Sequence, residues 1–133
     1  MIGLDTNVVI RYLVQDDSKQ SGLATQLIET RLSMETPGFI SLITLIETVW
    51  VLSACYQQNK SQIITILRQI ITTRQLKIER SDIAHQAIQR YKSGNGDYSD
   101  AVICLINTEN GCHETLTFDK KARTVGMTLL DAL

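Results

Sequence analysis

The chain has 133 residues, 44% of them apolar and 20% charged, with a formal net charge of −1. This is the composition of an ordinary globular domain, long enough to bury a core without disulfides or a structural metal. It excludes a globally basic nucleic-acid binder, although metal ions would attract phosphate where side chains do not. Cys55, Cys104 and Cys112 are odd in number and lack CxxC spacing. They read as buried small hydrophobes in a reducing cytosol, with no disulfide framework or zinc ribbon. Asp5 and Arg11 interrupt the N-terminal apolar stretch, which makes it a poor signal peptide, and no apolar run would span a bilayer. The expectation is one soluble, cytoplasmic domain over residues 1–133, without membrane association.

MIGLD is a short apolar run ending in an acid, and it predicts a buried strand. Helical spacing follows through Val8, Val9, Tyr12 and Leu13. Asp16, Asp17 and Ser18 then cap a helix to about Ser33, with Leu23, Leu27 and Ile28 on its inner face. Pro37-Gly38 breaks it, and Phe39-Ile40 predicts a brief strand. Ser41 caps a long helix through Cys55, apolar at Leu42, Leu45, Ile46, Val49, Trp50 and Leu52. Ser61 caps another, with a stripe of Ile63, Ile66, Leu67, Ile70 and Ile71. Together these form a helical hairpin with one side available to a partner. Leu76-Lys77-Ile78 predicts a strand, and Ser81 starts a helix to about Lys92.

Gly94-Asn95-Gly96 reads as the most flexible stretch. A helix follows from near Asp97 to Asn110-Gly111, then a strand Leu116-Thr117-Phe118 ending in Asp119, and a last strand Thr128-Leu129-Leu130. Short strands alternating with helices make this an α/β chain, a parallel sheet with helices on both faces.

Acids stand where that pattern wants apolar residues: in IGLDTN, ITLIETVWVL, GDYSDAVICLI and TLTFDKKA. Asp5 and Asp119 close apolar runs, so both belong at the carboxyl edge of a parallel sheet, where functional groups gather. Thr117 shares a strand face with Asp119. Asp97 and Asp100 share one helical face near a helix N-terminus, where the dipole tolerates charge. Glu47, amid aliphatics with no nearby Lys or Arg on its helix, is the sharpest anomaly, because a buried carboxylate ends up neutral or paired. Mg²⁺ or Mn²⁺, which take oxygen ligands, would resolve the conflict.

With these four segments in order, the chain resembles the PIN-domain nucleases, and more closely the VapC-type toxins of toxin–antitoxin pairs. The resemblance covers essentially the whole chain. It implies a Rossmann-like three-layer fold with a short central, mostly parallel sheet. It also implies an acidic quartet of Asp5, Glu47, Asp100 and Asp119 that holds one or two Mg²⁺ or Mn²⁺ ions and is catalytic. Asp97, Thr117 and Asn7 match auxiliary positions. The implied activity is endoribonuclease hydrolysis of RNA by metal-activated water, leaving 5′-phosphate and 3′-hydroxyl ends. A homodimer and a cognate antitoxin are implied as partners, the antitoxin lying along the hairpin of residues 41–71 with a basic side chain toward the acids.

Each residue also has a plainer role. Asp5 is a good N-cap, Asp119 would cap the KKAR turn, and Asp97 or Asp100 would serve a helix N-terminus. Thr117 would be a strand residue, Trp50 and the isoleucine stripe core or dimer interface, and Asp16-Asp17 a cap and solvated loop. Lys120, Lys121 and Arg123 would be solvated or meet RNA phosphates. Adjacent Cys112 and His113 do not make a zinc site. Competing functions are a non-toxin RNA-processing nuclease, a metal-dependent phosphatase and a non-catalytic RNA-binding module. A dehalogenase-type phosphatase would want an Asp where Asn7 stands.

Overall fold

The computed structural model describes residues 1–133, and none of its strands exceeds three residues. Two compact units divide the chain, residues 1–79 and 80–133.

The first unit runs β1 (Ile2–Gly3), α1 (Thr6–Leu13), α2 (Ser18–Gln26), a π-helical turn (Leu27–Arg31), β2 (Gly38–Ile40), α3 (Leu42–Ala54), α4 (Lys60–Thr72) and β3 (Leu76–Ile78). Its three strands are parallel in the order β1-β2-β3, with Gly38 paired to Ile2 on one side and Leu76 on the other. Gly38 suits this central position because a Cβ there would meet Leu32 at 2.7 Å and Leu4 at 2.9 Å. Ile40, Leu45, Leu52, Ile63 and Leu67 are essentially inaccessible. Each contributes about 1.5–3 kcal/mol by leaving water. As expected, Ser41 caps α3, accepting from the Thr44 N–H at 3.1 Å. Glu79, just past β3, adds a second cap by accepting from the Leu42 N–H at 3.0 Å.

Several local expectations are corrected here. β1 is an exposed edge strand rather than a buried one, since only β2 pairs with it. Leu23 is exposed, and Ser21 and Ala24 face inward on α2 instead. Asn59, not Ser61, caps α4, in a reciprocal capping box with Gln62. Trp50 is 66% exposed and is not core. Asp17 caps α2 as expected, but Asp16 is more than loop: it accepts from Tyr56 Oη at 2.7 Å and Arg11 at 3.2 Å.

The second unit contains α5 (Ser81–Ser93), α6 (Tyr98–Glu109), β4 (Leu116–Thr117), a 3-10 helix (Lys120–Val125) and β5 (Thr128–Leu129). β4 and β5 pair in parallel, so all strands are parallel but fall into two ladders. Buried Ala84, Ala87 and Ala101 let α5 and α6 pack closely around Tyr98. The Tyr98 hydroxyl donates to the Ala84 carbonyl at 3.1 Å, and its ring meets Tyr91 edge-on with centroids 6.0 Å apart. Burial drives the Tyr98 phenol well above the usual tyrosine range. α6 stops where Gly111 takes a positive φ of 94°.

Gly94-Asn95-Gly96 is not a loose linker. Gly94 and Gly96 are buried, and the N–H groups of Asn95 and Gly96 both donate to Thr124 Oγ1, at 2.7 and 3.2 Å.

Candidate functional site

In the first unit, β1 hands over to α1 through Leu4 and Asp5. Asp5 is extended at φ −83° and ψ 161°, and its Oδ1 accepts from the Thr6 N–H at 2.8 Å. Asn7 is exposed on the turn that follows. Glu47 departs from the expected setting. It is exposed on α3, between Ile43 at 69% and Trp50 at 66% exposure. The aliphatic residues flanking it in sequence face other directions, so the carboxylate is not desolvated. What is unusual is its open apolar surroundings rather than a buried charge.

In the second unit, the charges of two acids, Asp97 and Asp119, act on a third, Asp100. Asp97 is the N-cap of α6, Asp100 lies in its first turn, and Asp119 is the N-cap of the 3-10 helix. Asp100 is partly buried, and burial is the largest cause lifting its carboxyl above the usual range. A hydrogen bond from the Asp97 N–H, 3.2 Å from Oδ2, acts the other way. The negative charges of Asp97 and then Asp119 add to the upward push. Thr117 uses its hydroxyl locally, accepting from the Asp119 N–H at 3.0 Å.

Three of these carboxylates each accept a backbone N–H. Asp5 and Asp119 each spend Oδ1 on a backbone N–H, Thr6 and Lys121 respectively, and Asp100 spends Oδ2 on Asp97. In each, the backbone N–H holds one oxygen and so orients the carboxylate. The donors are all carboxylate or hydroxyl oxygens, a hard set suited to Mg²⁺ or Mn²⁺ rather than zinc. A divalent cation would offset the negative charges that act on Asp100. Within neither unit do three His, Cys, Asp or Glu side chains converge closely enough to hold a metal ion by themselves. His113 is exposed and pairs only with its neighbour Glu114 at 3.8 Å.

Sequence reasoning missed two polar groups. The Arg11 guanidinium joins Gln20, Asp16 and Tyr56 at 2.8, 3.2 and 3.1 Å. Thr124 gathers the backbone around the acids of the second unit. Neither leaves a signal in hydrophobic patterning.

A model of the PIN domain matches residues 2–126, which takes in both units and every candidate acid. No curated protein and no solved structure matches the chain. No helix is long and apolar enough to cross a membrane.

Proposed function

The chain belongs to the PIN-domain family, whose members are typically metal-dependent nucleases, and from that premise we propose that it is a Mg²⁺- or Mn²⁺-dependent endoribonuclease acting as the toxin of a VapC-type toxin–antitoxin pair. The observation that carries the reading is the PIN-domain match over residues 2–126, within which Asp100 is partly buried and under the negative charges of Asp97 and Asp119. Such an arrangement is unfavourable without a cation and suited to one.

By the resemblance, Asp5, Glu47, Asp100 and Asp119 would hold the ion, with Asp97, Thr117 and Asn7 auxiliary. A bound divalent ion would supply Lewis acidity and lower the pKa of its water. The chain's own residues do the rest. The Thr6, Asp97 and Lys121 N–H groups orient the carboxylates. Exposed Lys120, Lys121 and Arg123, next to Asp119, attract the phosphate backbone that a net charge of −1 does not draw globally. His85 and His113 lie outside these motifs, which disfavours a histidine-based cyclising mechanism.

The antitoxin would cover the apolar face of α3 and set a basic side chain against Glu47, between Ile43 and Trp50. Their exposure supports this surface as a partner site. Homodimerisation and a cytoplasmic location complete the proposal.

Purified chain, free of inhibitor, should cut RNA with Mg²⁺ or Mn²⁺ to 5′-phosphate products and spare it in EDTA. Asp5→Asn keeps an amide oxygen for the Thr6 N–H, so its loss of cleavage would report lost charge rather than a lost cap. Undiminished cleavage by Asp5→Asn or Asp100→Asn would sink the mechanism. Release of inorganic phosphate from small phosphoesters, with RNA left intact, would identify a phosphatase instead.

A further inference from the structure

Asp100 and Asp119 belong to two different segments, and the structure ties those segments together through one hydroxyl. Thr124 lies on the 3-10 helix that Asp119 caps. Its Oγ1 donates to the Lys121 carbonyl at 2.7 Å. It also accepts from the N–H of Asn95 at 2.7 Å and of Gly96 at 3.2 Å. A hydroxyl has one donor and two acceptor positions, and here all are used.

The backbone fits around this contact without room for side chains. A Cβ on Gly94 would sit 2.6 Å from the Thr124 carbonyl oxygen, and one on Gly96 would sit 2.9 Å from the Lys121 carbonyl oxygen. These are contacts with backbone, which has little freedom to yield. The turn that leads into Asp97 and α6 is therefore pressed onto the helix that follows Asp119. The two glycines serve close approach here, not flexibility.

We propose that Thr124 is a positioning residue for the acidic group, fixing the segment that carries Asp97 and Asp100 against the one that carries Asp119. The inference rests on the metal-dependent reading above. The two hydrogen bonds that Thr124 accepts from Asn95 and Gly96 hold the segments together and keep the carboxylates in register for an ion. Partners outside the ligand shell commonly govern metal affinity or activity by about 10–100-fold.

Thr124→Val keeps the shape and removes the hydroxyl, leaving the Asn95 and Gly96 N–H groups without their acceptor, whereas Thr124→Ser keeps all three bonds. Two quantities should be measured on folded protein: Mn²⁺ affinity by electron paramagnetic resonance, and RNA cleavage at saturating Mg²⁺. The expected result is Mn²⁺ affinity weakened roughly tenfold or more in Thr124→Val, with slower cleavage, and both restored in Thr124→Ser. If Thr124→Val does not fold, Thr124→Ala supplies the same comparison.

Unchanged Mn²⁺ affinity in the folded Val or Ala protein, or equal loss in the Ser protein, would overturn the proposal, as would a wild-type chain that binds no Mn²⁺. A wild-type chain that binds Mn²⁺ but cuts no RNA would remove the nuclease reading alone. The affinity comparison would still judge Thr124.

Discussion

Residues 1–79 hold Asp5 and Glu47 at exposed positions, one completing a helix cap and the other on an open apolar face. Residues 80–133 draw Asp100 partly out of water and set the charges of Asp97 and Asp119 against it. An acid inside an apolar sequence segment thus has two different physical meanings. In α3 the apolar neighbours are exposed, and the anomaly marks a surface. In α6 the neighbours Ala101 and Val102 are buried, and the anomaly marks a carboxylate held at a disadvantage.

That contrast gives a ladder of expected effects. The largest is on chemistry: Asp100→Asn should reduce cleavage to background although the fold survives. Next is the core of the first unit, where Leu67→Ala should cost about 2–5 kcal/mol in urea unfolding, because Leu67 is fully buried. On the opposite side of the same hairpin, Trp50→Ser should change stability by less than about 0.5 kcal/mol. A loss as large as that of Leu67→Ala would show that the α3 face is packed, not open.

Acid substitutions should then separate the units by sign. Asp5→Ala should cost about 1 kcal/mol, the usual loss of an N-cap. Asp100→Asn should instead raise the melting temperature of the metal-free protein at neutral pH. With the folded pKa above the unfolded one, the native state binds more protons through that interval, so Asp100 makes stability fall as pH rises through it. The destabilisation is fully present above the raised folded pKa and absent below the unfolded value near 3.8. The gain from Asp100→Asn should therefore shrink as the solution is acidified, which melting curves across pH would show.

Much of the frame was legible because local chemistry decided it. β3 lies at Leu76–Ile78 as expected, bounded by polar residues, and Ser41 and Asp97 cap the helices they precede. Asn59 displaced Ser61 because Gln62 stands three residues after Asn59 and returns the hydrogen bond. The capping box outweighed a lone serine. Glu47 was misjudged because apolar spacing does not reveal which face of a helix stays open. The glycines at 94 and 96 read as flexible because close approach between backbones distant in sequence leaves no local trace. Asp5 and Asp119 looked like a choice between cap and ligand, yet a carboxylate has two oxygens and each commits only one.

The central claim is that Asp100 serves a divalent cation. The direct test is thermal unfolding of wild type and Asp100→Asn, each with and without millimolar-range Mg²⁺. Binding to the native state alone stabilises by mass action. Without metal, Asp100→Asn should melt above wild type; with Mg²⁺, wild type should rise and the variant should not, narrowing or reversing the gap. A wild-type melting temperature indifferent to Mg²⁺ and Mn²⁺, or an equal rise in Asp100→Asn, would contradict the account.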